Sequence, residues 1–157
     1  MLAAFTLGRD PATLFGLPRQ PLRLVHLTLR GRNDLARHFL VSAVAAASGH
    51  ATISNALGLY KEFSDFNTGS GFSFSDLAAD KAGTKFGTLA VTRPRRLQRL
   101  MVRVRTEDWL MPSITGLPDH LSRRKFQQCF QGTNRAAYAR LIELIERRIA
   151  ACPSYRR

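Results

Sequence analysis

Acidic residues are scarce in this chain. Its 157 residues carry 11 Asp and Glu against 24 Lys and Arg, a formal net charge of +13. Such a surface attracts anions: nucleic acid, acidic lipid or cell-wall polymer. Cysteine is almost absent as well, with only Cys129 and Cys152. No CxxC exists, and His26, His38, His50 and His120 lack HExxH or HxxxH spacing, so no zinc site of a known pattern is present. The two cysteines are compatible with one disulfide in an oxidising compartment and equally with two buried thiols. Catalytic signatures are missing too. Gly69-Ser70-Gly71 has the wrong register for a nucleophile elbow, no lysine follows a phosphate-cradling glycine loop, and no Rossmann glycine triplet follows a strand. Neither a metal nor a cofactor is expected from these patterns.

Long apolar runs are also few. Phe39 to Tyr60 is 22 residues free of Asp, Glu, Lys and Arg, long enough to cross a bilayer. Ser48-Gly49-His50 breaks its middle, and Thr52, Ser54 and Asn55 follow, which fits two helices joined by a turn better than one span. The opening Met1-Leu2-Ala3-Ala4-Phe5 has no basic stretch and no long apolar core, so it does not read as a secretory signal.

What the chain does have is helical periodicity. With 45% hydrophobic residues it can bury a core unaided. No strand pattern competes, and the expectation is a mostly α, single-domain bundle of about five to six helices behind an irregular N-terminal segment, residues 1–32. In that segment Leu22 to Leu29 alternates weakly as a strand or short helix. The helical domain is expected over 33–157, with a core motif at 33–91, a basic helix at 95–105 and C-terminal helices within 122–151. Asn33 or Asp34 is placed to cap a first helix running through Ala47, with Leu35, Phe39, Leu40 and Val44 as its core face. A second is expected from about Thr52 to Asp65 and a third from about Phe74 to Val91, antiparallel to the second. Ser73-Phe74-Ser75-Asp76 has capping-box spacing, which predicts that Ser73 accepts from the backbone three residues on while Asp76 reaches back. In the basic helix Leu97, Leu100, Met101 and Val104 are expected to share an apolar face. Ser122 opens a short helix ending at Phe130. The clearest helix follows, Asn134 to Ala151, with Tyr138, Leu141, Ile142, Ile145 and Ile149 at i, i+3, i+4, i+7 spacing and Pro153 beyond its end.

Two groups of residues carry chemistry. Glu62, Asp65, Asp76 and Asp80, four of the eleven acids, fall in one 19-residue window of a strongly basic protein. With His38, Lys61 and Ser73 they form a candidate polar site. Such a group can bind a cation or hold a carboxyl with a raised pKa as a general acid. The competing reading is structural: Asp76 as a cap, Lys61 with Asp65 as a solvated i, i+4 pair, and His38 as a satisfied buried histidine. The second group is Arg93, Arg95, Arg96, Arg99, Arg103 and Arg105, six cations in 13 residues with no acid among them, a candidate anion-binding surface.

The order His38-Phe39, Gly58, Lys61-Glu62, Asp65, Gly71, Ser73, Asp76-Leu77, Asp80, Gly83 and Gly87 resembles a family of small predicted periplasmic lipoproteins of unknown function from Gram-negative bacteria. More distantly it is similar to VanZ-like membrane proteins. The resemblance covers residues 34–87. It implies helices packed closely through Ala and Gly, polar positions gathered at one end, and an envelope or periplasmic setting; it implies no reaction. The lipobox cysteine and lipoprotein signal of that family are not in this sequence.

The functional expectation is a non-enzymatic, envelope-associated bacterial protein whose basic surface faces anionic lipid head groups or cell-wall polymer. One alternative is a basic protein associated with nucleic acid, although no helix-turn-helix, zinc finger or aromatic-basic string supports it. The other is a hydrolase using Glu62 or an aspartate of the acidic group.

Overall fold

The structure, a computed structural model, describes residues 26–48, 71–130 and 135–156; of Arg123 it describes the backbone only. These residues are mostly α-helical, and five α-helices follow one another: α1 (Asn33–Ala47), α2 (Phe74–Thr92), α3 (Pro94–Met101), α4 (Arg123–Phe130) and α5 (Arg135–Ala151). A short 3-10 helix, Glu107–Trp109, lies between α3 and α4. No strand occurs among the described residues, only two isolated bridges, Leu29 with Arg32 and Phe72 with Leu121. The expected Thr52–Asp65 helix and its antiparallel neighbour arrangement lie outside the described residues, as does most of the Leu22 to Leu29 alternation.

The pair α1 and α2 organises the molecule. Gly83 of α2 abuts Phe39 of α1, and four residues on Gly87 abuts Ala43, so the two helices run parallel. Glycine is required at both places. A β-carbon at Gly83 would fall on the Phe39 carbonyl, whose carbon is 2.8 Å away, and one at Gly87 on the Ala43 carbonyl, whose carbon is 2.9 Å away. Alanines 78, 79 and 82 continue the small-residue face of α2, and all three are fully buried. Backbones can approach this closely only where side chains are absent or small.

This approach decides which face of α1 is inside. Leu35, Ala36, Phe39 and Ala43 are buried, whereas Val44, expected in the core, is half exposed. Helical spacing alone allows either neighbour of Ala43; the glycines of α2 select Ala43 itself. Phe39 also meets Phe86 at 5.5 Å between ring centroids. Against the other side of α2 lies α5, whose Ile145 and Ile149 are fully buried as its spacing predicted, with Tyr138, Leu141 and Ile142 packed around them. Phe72, Phe74, Phe126, Phe130 and Tyr138 join in a chain of tilted and edge-to-face rings that brings α4 onto the core.

The C-terminal segment is threaded back into the core. The Ser154 amide donates to the Trp109 carbonyl at 3.3 Å, and the Tyr155 hydroxyl lies 2.9 Å from the Leu110 carbonyl and 3.1 Å from that of Ala82. Burial pushes the Tyr155 phenol well above its ordinary pKa. Cys152 is a buried free thiol and Cys129 an exposed one, so the disulfide alternative is not realised.

Three local expectations are corrected. The N-cap of α1 is Arg32, with no side-chain cap bond; the Asn33 side chain donates from Nδ2 to the Leu27 carbonyl instead. The basic helix stops at Met101 rather than Arg105: the Arg103 and Val104 amides both turn onto the Leu100 carbonyl. Like charges at i, i+4 along Arg95, Arg99 and Arg103, and the β-branched Val102 and Val104, disfavour further turns. Met101, expected on the apolar face of that helix, is exposed.

Candidate functional site

Ser73 caps α2 as its spacing predicted, its hydroxyl oxygen accepting from the Asp76 amide at 3.0 Å. The reciprocal half of the capping box is replaced. The Asp76 carboxylate turns across to α1, where Oδ2 lies 3.7 Å from Nε2 of His38 and Oδ1 lies 3.6 Å from the Arg32 guanidinium. One turn further along α2, Oδ1 of Asp80 lies 3.2 Å from Nδ1 of His38 and accepts from the Ser42 hydroxyl at 2.9 Å. His38 therefore stands between two carboxylates of the neighbouring helix, one on each ring nitrogen. All three side chains are largely buried.

Arg32 ties this group to two further carboxylates. Its guanidinium holds Asp34 at 2.5 Å and also contacts Asp119, which comes from the loop before α4. The Ser73 hydroxyl in turn donates to Asp119. The Phe72 and Leu121 bridge, with both backbone hydrogen bonds at 2.8 Å, fixes that loop beside the start of α2.

Parallel packing explains why acids collect here. Each helix N-terminus carries roughly half a positive charge, and a parallel pair puts both at the same end. Asp34 sits in the first turn of α1 and Asp76 in the first turn of α2. Asp80 and Asp119 add to them, while Arg32 and His38 limit the mutual repulsion of the four carboxylates.

The proton affinities follow from these surroundings. Burial pulls the His38 imidazolium toward losing its proton, but the Asp80 hydrogen bond and the charges of Asp80, Asp76 and Asp34 outweigh it, and its pKa is raised. Burial, together with repulsion from Asp34 and Asp119, raises the Asp76 carboxyl against the pull of His38 and Arg32. The Arg32 hydrogen bond holds Asp34 below its ordinary value. Burial opposes ionisation of Asp119, but hydrogen bonds from Ser73 and Arg32 win and its pKa is lowered. The raised pKa means that the group favours the protonated form of His38. With a carboxylate near each nitrogen, the protonated ring is a cation between the two helices. No group of three or more His, Cys, Asp or Glu among the described residues is arranged to hold a metal ion.

Of the seven residues expected in the polar site, His38, Asp76 and Asp80 converge and Ser73 adjoins them through its cap and Asp119. Lys61, Glu62 and Asp65 lie outside the described residues. Arg32, Asp34, Ser42 and Asp119 belong to the group without having been expected. Ser42 follows His38 at i+4, which places it on the same helix face once the partner helix is known. Asp119 is 43 residues beyond Asp76 and carries no local signal.

The second candidate surface is α3 with its flanks, which follow α2 and lead back to Glu107 and Asp108 at Arg30. α3 has no buried residue. Arg93, Arg95, Arg99, Arg103 and Arg105 are exposed, and none of them forms an ion pair among the described residues; the half-buried Arg96 donates to the Arg156 carbonyl. The nearest acids in the chain, Glu107 and Asp108, do not neutralise this face, because both are paired with Arg30, Asp108 at 2.5 Å. No helix among the described residues is long and apolar enough to cross a membrane. Comparison with protein-family models, with curated proteins and with solved structures finds no match for this chain.

Proposed function

We propose that this chain is a non-enzymatic, envelope-associated binding protein that docks on an anionic surface, lipid head groups or cell-wall polymer, through the arginines of α3 and its flanks. The observation that carries the reading is the cluster itself: six arginines from Arg93 to Arg105, three on α3 and three on its flanks, none paired with an acid among the described residues, along a helix with no fully buried residue. A helix kept only for solubility mixes both signs of charge. This one half-buries Leu97 and Leu100 and presents one sign of charge outward. The envelope setting is supported by the resemblance over residues 34–87. The polar group of His38, Asp76 and Asp80 acts in this reading as the clamp that holds two parallel helices together, which favours a binding role over hydrolysis.

The test is co-sedimentation of the full chain with anionic and neutral vesicles, and retention on a sulfated polysaccharide matrix, across a salt series. Binding to the anionic supports should weaken steeply with salt, because exposed charges are screened within about 8 Å at physiological ionic strength. Replacing Arg95 and Arg99 by Gln should shift elution to lower salt. Retention unchanged between low and half-molar salt overturns the proposal, and duplex DNA outcompeting anionic vesicles at equal ionic strength moves it to the nucleic-acid alternative.

A further inference from the structure

We draw no further inference here: the strongest candidate, the cluster of Asp34, Asp76, Asp80 and Asp119 around Arg32 and His38 where α1 and α2 begin, belongs to the site already described, and nothing beside it among the described residues points to a ligand.

Discussion

A methyl group added at Gly83 should push α1 and α2 apart. At an open helical position Gly→Ala is stabilising, by about 1 kcal/mol, since glycine has the greater backbone entropy to lose and the lower helix propensity. Here the new β-carbon would sit on the Phe39 carbonyl group, with that residue's Cα 2.9 Å away. Carbon atoms prefer to be about 3.5–4.0 Å apart, so the helices must separate by about 1 Å, a gap that forfeits a quarter to a half of each contact across the interface. The obstacle is backbone, which no change of rotamer can move aside, so the cost belongs near the top of the roughly 1–3 kcal/mol range for overpacking or above it. Leu35, Phe39, Ala78, Ala79 and Ala82 lose contact together, and the distances from His38 to Asp76 and Asp80 lengthen. After the propensity gain is subtracted, Gly83→Ala should cost about 2 kcal/mol. For a chain of this size that is a fall of about 4–8 °C in melting temperature. Thermal denaturation followed by circular dichroism reads it directly. A melting temperature at or above the parent's would refute the close parallel packing, because the sign of the effect depends on what stands opposite the glycine.

Stability should also depend on pH through the polar group, in two opposite senses. His38 has a folded pKa raised from the ordinary 6.5, so its contribution is complete below that value and is lost as pH rises through the folded one; Asp76, also raised, works in the same direction. Asp34 and Asp119 are lowered, so their contributions are present above the ordinary carboxylate range and are lost as pH falls through their folded values. The melting temperature should therefore peak on the mildly acidic side of neutrality, and His38→Asn should flatten the alkaline limb; an unchanged limb in that variant would remove His38 from the network. Tyr155→Phe removes the hydroxyl that serves the Leu110 and Ala82 carbonyls and should cost about 1–3 kcal/mol in urea unfolding, with an effect near zero showing that the C-terminal segment is not held there. Ile145→Ala, at a fully buried position, should cost about 2–5 kcal/mol, and a midpoint within error of the parent would place α5 outside the core.

The sequence by itself determined the helices whose evidence is local. Ser73 three residues before Asp76, Pro94 at the opening of α3, and the apolar stripe of α5 each act within a turn or two, so their signals are readable in a window of a few residues. The arginine cluster and its lack of acids are equally plain in one dimension. Tertiary structure alone decided the rest. Gly83 and Gly87 mark a close approach, but neither says that the partner is Phe39 and Ala43 in parallel register, and that register is what turns Val44 outward. Asp76 has cap spacing, yet its carboxylate leaves the cap for His38 because the neighbouring helix brings an imidazolium within reach. Arg32, Asp34 and Asp119 meet across 87 residues of chain, an arrangement that no local pattern records. Long-range pairings of this kind depend on which helix ends come together. The parallel pair sets that, gathering the carboxylates where α1 and α2 both begin.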